Sequence, residues 1–174
     1  MDESPCDVCG SHQMEPATLR GASVMRCGLC DHVQGDAELM AGIDALDEAE
    51  QRGLHPDVYP LVQALEQVPT FHVTSTSVGR VETSEFPFVF LRLDPGGLRD
   101  LERLLTSLEM ANRTTQRRWV VECTLQRELR FVLRPRFWKA ILEIDANDIR
   151  EARSDFRVLA EILARDVQLG WWRD

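Results

Sequence analysis

The sequence predicts an α+β protein: a small four-cysteine module followed by helices packed on a mainly antiparallel sheet. Three observations predict it. The 174 residues, 44% hydrophobic and 28% charged, suffice for one sizeable core plus a small satellite, and are too few for two domains of ordinary size. Four cysteines fall between residues 6 and 30 as two C-x2-C pairs. After them, helical and strand periodicities alternate as helix, strand, strand, helix, strand, strand, helix, the pattern of helices laid against an antiparallel sheet. The reading divides the chain into a metal module at 1–35, an acidic helical linker at 36–70 and an α+β domain at 71–174.

The first pair is Cys6-Asp7-Val8-Cys9-Gly10 and the second Cys27-Gly28-Leu29-Cys30-Asp31, with 17 residues between them. Two cysteines three apart wrap a tight turn, so that both sulfurs face one ion and the N–H groups of the turn offset the thiolate charge. Gly10 supplies a left-handed residue for the first turn, and Gly28 is read as letting the chain pass close to the metal. Thr18 to Arg26 reads as a hairpin with Gly21 at or near its turn. Residues 4–33 resemble a zinc ribbon, with Cys6, Cys9, Cys27 and Cys30 as ligands of one structural zinc ion. Four thiolates close the coordination shell, which leaves no open position for catalysis. Iron fits the same tetrathiolate cage. A disulfide pairing of the same residues suits an oxidising compartment rather than the cytoplasm expected here. His12 and His32 are read as surface or hairpin residues. So small a segment buries too little to fold without its metal.

Asp36 to Arg52 carries Leu39, Met40, Ile43 and Leu46 at helical spacing and stops at Gly53. His55-Pro56 breaks the chain. A second helix follows, with Val58, Leu61, Val62 and Leu65 on one face, and Pro69 ends it. Residues 71–82 and 86–93 read as strands, joined by the turn Asp94-Pro95-Gly96-Gly97 to a helix bearing Leu98, Leu101, Leu104, Leu105 and Leu108. Trp119, Val121, Cys123 and Leu125 alternate on one strand face, and Leu129, Phe131 and Leu133 on its partner. The turn falls near Gln126 to Glu128, Pro135 ends the hairpin, and Cys123 is read as a buried core thiol. Phe137 to Ile144 suits either a strand or a packed helix. Asn147 caps a last helix with Ile149, Phe156, Leu159, Ile162, Leu163 and Val167, stopped by Gly170. Asp145 and Asp148 sit at its start, where acids favour the dipole.

Charge separates the two parts. The net charge is −9. Residues 1–70 hold 13 acids and 3 bases, and residues 71–174 hold 16 acids and 17 bases. Acidity on that scale argues against non-specific nucleic-acid binding by the whole surface. No apolar run reaches the roughly 18 residues of a membrane span, and Met1 to Cys6 has neither the basic nor the apolar region of a secretory signal. The expected location is cytoplasmic, with no membrane partner.

Thr74-Ser75-Thr76-Ser77-Val78-Gly79-Arg80 sets four hydroxyls before a Gly-Arg pair. One reading is an anion- or cofactor-binding loop of Ser75, Gly79 and Arg80, with Gly79 allowing close backbone approach and Arg80 a forked cation. The other is a half-buried strand with a glycine bulge and a solvated arginine. Taken with Leu65 to Val68 before it, Phe88 to Pro95 after it and Arg130 to Pro135 further on, the stretch resembles the Tyw3-like family, tRNA-modifying methyltransferases of wybutosine synthesis. The resemblance covers residues 56–136. The family's cysteine position is Ser77 here and its following serine is Val78, so Ser75, Gly79 and Arg80 are the residues that carry over. It implies a related fold and leaves the activity open.

Residues 113–139 hold eight bases against two acids, with Trp119, Phe131, Phe137 and Trp138 among them. Arg117, Arg118, Arg130, Arg134 and Arg136 are the candidate RNA contacts; on the structural alternative they pair with acids of the same domain and Trp119 and Phe131 are core. No nucleophile–base pair, P-loop or G-x-G-x-x-G is visible, so no catalytic residue is assigned. Trp171-Trp172 suits either packing on the core or anchoring a partner. The function read from the sequence is a zinc-binding, non-enzymatic interaction module docking on a protein or nucleoprotein assembly. The alternative is an RNA-modifying or RNA-binding protein.

Overall fold

The computed structural model describes residues 4–80, 82–83, 85–125, 129–137 and 143–171. The described residues form four α-helices and two antiparallel sheets, of three and four strands, which is the α+β class expected. The chain divides into two compact units between Arg52 and Gly53.

In the first unit, β1 (Met14–Leu19) and β2 (Ala22–Cys27) pair antiparallel from Met14↔Cys27 to Leu19↔Ala22. The connection is Arg20-Gly21, with φ of 49° and 83°. Two consecutive left-handed residues are what a two-residue hairpin turn requires, because that backbone twist matches the strands. Arg20 has a Cβ and adopts this conformation at a cost. Its guanidinium is held by Asp47 and by Glu50, at 2.6 Å to the latter, both on α1 (Ala37–Gln51). β3 (Val33–Gln34) adds to β2. Asp36 caps α1 by accepting the N–H groups of Glu38 and Leu39, and Gly53, at φ 64°, follows its end.

The second unit runs α2 (Tyr59–Glu66), β4 (Phe71–Arg80), β5 (Glu85–Leu93), α3 (Leu98–Ala111), β6 (Arg118–Leu125), β7 (Leu129–Arg136) and α4 (Ala146–Gln168). The sheet order is β4-β5-β7-β6. Helical stripes from α2 (Leu61, Leu65), α3 (Leu104, Leu108) and α4 (Phe156, Leu159, Leu163) meet Phe71, Val89, Leu91, Phe131, Leu133 and Trp119 of the sheet in one core. At about 25 cal/mol per Å2 of apolar surface removed from water, each such side chain contributes roughly 1.5–3 kcal/mol before the entropy of ordering it is subtracted. The Asn112 side chain ties the end of α3 to β6: its Oδ1 accepts the Trp119 N–H at 2.7 Å and its Nδ2 donates to the Trp119 carbonyl at 2.9 Å.

Four local readings change. Cys123 is exposed, because β6 is an edge strand: Trp119 at its start is buried, whereas Leu125 at its end is 79% exposed. Pro135 lies inside β7 and does not end it. The β5–β7 ladder runs from Leu91↔Phe131 to Val89↔Leu133. Two residues further on, the same register would oppose Pro87 and Pro135, neither of which has an N–H to donate, and the ladder stops short of them. The last helix is capped by Asp145 rather than Asn147: its carboxylate accepts the N–H of Asp148 while the Asp148 side chain accepts that of Asp145. In β4 the bulge falls at Thr74, where the register shifts between Val73↔Leu91 and Ser75↔Phe90. The shift reverses the alternation, so Thr76 and Val78 take the core side and Ser75 and Ser77 the opposite face. The turn at 126–128, most of 137–144, Trp138, Lys139 and Trp172 lie outside the described residues.

Candidate metal centre

The two cysteine turns have the same backbone construction. In the first, the Gly10 N–H donates to the Cys6 carbonyl at 2.8 Å; in the second, the Asp31 N–H donates to the Cys27 carbonyl at 3.0 Å. The fifth residue is left-handed in both, Gly10 at φ 71° and Asp31 at φ 58°. Asp tolerates this conformation better than most residues with a Cβ, and Arg26 holds its carboxylate at 2.8 Å. Gly28 has a different role from the one the sequence suggested. Its N–H donates to the Gln13 carbonyl at 2.8 Å, which ties the second turn to the strand entering β1, and a Cβ there would make ordinary contacts only.

These turns bring Cys6, Cys9, Cys27 and Cys30 together, with all four sulfurs within 4.8 Å of one another. Cys6 Sγ lies 3.6 Å from Cys30 Sγ, and Cys9 Sγ 3.5 Å from Cys27 Sγ. A disulfide would need about 2.05 Å. Four thiolates about 2.3 Å from a central ion stand roughly 3.8 Å apart at the edges of a tetrahedron, so the spacing fits a single tetrahedral ion and the four cysteines could hold one. The first cysteine of each turn is buried and the second exposed, so one side of the cage packs against the hairpin and the other faces solvent. Among the described residues no histidine joins this group.

The electrostatics point the same way. The backbone N–H groups of Cys30 and Leu29 lower the Cys27 thiol to about 6. At Cys30 the His32 N–H pulls in the same direction, but the sulfur of Cys9, loss of solvent and the sulfurs of Cys6 and Cys27 together push the thiol up to about 12. One thiolate is welcome in this cage and further ones repel it. A cation at the centre removes that conflict, because it deprotonates thiols and screens them from one another.

The other candidate sites are dispersed. Gly79 and Arg80 line a cavity beside the start of α4, whereas Ser75 pairs with Phe90 on the face away from the core. Of the basic stretch, Arg117 binds the carboxylates of Asp148, at 2.6 Å, and Glu151. Arg134 makes a forked pair with Glu122, both nitrogens at 2.9 Å. Trp119 and Phe131 are core, and Arg118 and Trp171 are exposed. Sequence reading missed the buried acids of α4: Asp148, Asp155 and Asp166 are each no more than 2% exposed. They recur with Ala152, Leu159 and Leu163 at three- and four-residue steps, so the apolar stripe itself carried the signal. No protein family, curated protein or solved structure matches the chain, and so nothing among known proteins supports the likeness to the wybutosine-synthesis family. No helix among the described residues is long and apolar enough to cross a membrane.

Proposed function

We propose that Cys6, Cys9, Cys27 and Cys30 hold one structural zinc ion, and that the metallated ribbon is a non-enzymatic docking module for a protein or nucleoprotein partner in the cytoplasm. The observation that carries the metal reading is the mutual approach of four sulfurs within 4.8 Å, a closed tetrathiolate set that zinc fills without redox chemistry. A reducing cytoplasm keeps such thiols available.

Docking is supported by what the turns expose. Val8 and Leu29, the third residues of the two cysteine turns, are 66% and 71% exposed. Apolar side chains held on rigid turns lose little entropy when a partner covers them. Beside the hairpin, an apolar groove of about 670 Å3 is lined by Ala22, Leu39, Ile43 and Leu46, with Asp36 and Glu38 at its edge. The acidity of residues 1–70 suits a partner surface of basic character. The internal pairing of Arg117 and Arg134 favours this reading over RNA contact through 113–139. The test joins metal analysis to pull-down. One zinc per chain is expected, and capture of a nuclease-resistant partner should be lost in Val8→Glu/Leu29→Glu while the metal stays bound. Metal-free protein with an intact ribbon, or capture that ignores the double substitution, would refute it.

A further inference from the structure

We propose that the cavity between the end of β4 and the first turns of α4 binds a phosphoryl dianion through Arg80, Arg150 and Arg153. The cavity measures about 260 Å3, and these three arginines, Gly79 and Glu82 are among its walls. Arg153 is the key residue. Its Nε donates to the Val78 carbonyl at 2.8 Å and its Nη2 to the Gly79 carbonyl at 2.9 Å. Both acceptors are neutral, so the guanidinium is fixed in place with its charge uncompensated. Arg150 donates to the neutral Asn147 side chain at 3.4 Å. Among the described residues no carboxylate pairs with Arg80, Arg150 or Arg153. The contrast is informative in a chain with 29 acids against 20 bases, where Arg20, Arg26, Arg103, Arg117, Arg134, Arg157 and Arg165 all find carboxylates.

A phosphoryl group offers three acceptor oxygens to guanidinium forks, and each such charge-assisted bond is about twice as strong as a neutral one. The backbone pins Arg153 before any ligand arrives, which lowers the entropic cost of binding. The start of α4 offers an anion little, because the Asp145 carboxylate already accepts the N–H groups of Asn147 and Asp148. Glu82 on the cavity wall, Asp145 before α4 and Asp57 in the adjoining cleft are opposing charges, and all three are exposed to solvent screening. A second cleft of about 770 Å3 shares Arg150 and Arg153 and is lined further on by Pro56, Pro60 and Val158. It offers room for the organic part of a phosphate ester.

The test titrates the full-length chain with inorganic phosphate, and separately with adenosine monophosphate, at constant ionic strength set with sodium chloride. Saturable binding is expected, followed by calorimetry and by amide shifts at Gly79 and Arg150. Arg80→Ala/Arg150→Ala should weaken it about tenfold or more while circular dichroism and the urea midpoint stay unchanged. Arg153 is left intact in that variant because its bonds also hold β4. Tighter binding of the monophosphate, lost in Val158→Glu, assigns the second cleft to the ester body. Equal affinity for the two assigns free phosphate as the ligand. No saturable binding of either, or binding indifferent to the double substitution, overturns the proposal.

Discussion

The carboxylate of Asp155 on α4 accepts the indole N–H of Trp119 on β6 at 3.0 Å, and both side chains are 1% exposed. The same carboxylate accepts the backbone N–H groups of Gln116, at 2.7 Å, and Arg117, at 2.9 Å. A buried acid is costly unless its lone pairs are filled; here three donors fill them, and they fix the entry of the edge strand against the longest helix. Asp155→Ala would orphan all three at once. With about 1–3 kcal/mol for each buried polar group left unsatisfied, the loss should be about 3 kcal/mol or more, read as a lower urea midpoint. Asp155→Asn keeps an acceptor for two of the donors and should fall between wild type and Ala. A loss in Asp155→Ala below about 1 kcal/mol would contradict this account of the strand entry.

Arg117 and Arg118 are adjacent in sequence and differ in their surroundings. Arg117 bridges Asp148, itself 1% exposed, and Glu151, whereas Arg118 is exposed at the start of the edge strand. Removing Arg117 takes a cation from beside the buried Asp148 carboxylate. Arg117→Ala should therefore lower stability by about 2–3 kcal/mol, and Arg118→Ala by under about 0.5 kcal/mol. Thermal melts of the two variants separate these effects directly. Equal, small shifts would show that Arg117 is a surface cation after all, and would return it to the RNA-contact set.

The cysteine spacing was the most legible feature of the sequence, because a tetrathiolate cage constrains residue type and separation within a few residues of chain. Helix α1 was legible from the helical spacing of Leu39, Met40, Ile43 and Leu46 and the stop at Gly53, whereas its Asp36 cap, a bond of only two or three positions, went unread. What else failed to show depended on the third dimension. Cys123 alternates with Trp119 and looks internal, yet only the sheet order puts it on an edge strand beyond the reach of the core. Pro135 looks like a stop, yet the strand continues on its β6 side, where the pairing Trp119↔Pro135 stands, and only the β5 ladder ends. Arg117 reads as a free cation because its carboxylates lie 31 and 34 residues away. The bonds of Arg153 to the Val78 and Gly79 carbonyls cross more than 70 residues, and no local pattern announces them.

Gly79 should be the glycine least open to substitution in the second unit. It sits at φ 77°, and a Cβ there would lie 2.8 Å from Pro87 Cδ and 3.0 Å from the Glu85 carbonyl oxygen. Strain and overlap add: about 1 kcal/mol or more for the left-handed residue and about 1–3 kcal/mol for overpacking against a proline ring that cannot rotate away. Gly79→Ala should cost about 2–4 kcal/mol on those two terms. Gly28→Ala in the first unit has neither problem and should be near neutral, with full metal content. Chemical denaturation of the two variants checks the contrast. An unperturbed Gly79→Ala would mean that β4 can shed its positive φ, and the carbonyl pair that anchors Arg153 would lose its fixed geometry.

Metal retention should depend on acidity with a definite sign. Protons and the metal compete for the same sulfurs. The Cys27 thiol is lowered from 9.0 to about 6 by the N–H groups of Cys30 and Leu29. A lowered value means that the folded turn favours the thiolate. That contribution is complete above about pH 9, where the unfolded thiol ionises as well, and it drains away as the pH falls through about 6. Zinc content should therefore hold near pH 8, decline as the solution passes about pH 6, and be lost near pH 4. The hairpin β1–β2 should melt with it, because so small a sheet lacks the core to stand alone. The second unit has its own hydrophobic core and should keep its circular dichroism through the pH at which the metal leaves. Stepwise dialysis followed by metal analysis and far-ultraviolet spectra reads both transitions. Chelation at about pH 8 should reproduce the first without the acid. If acid strips the metal and the ribbon's amide signals stay dispersed, the fold of residues 4–34 owes nothing to the ion, and the cage would have to be a binding site on a self-sufficient hairpin.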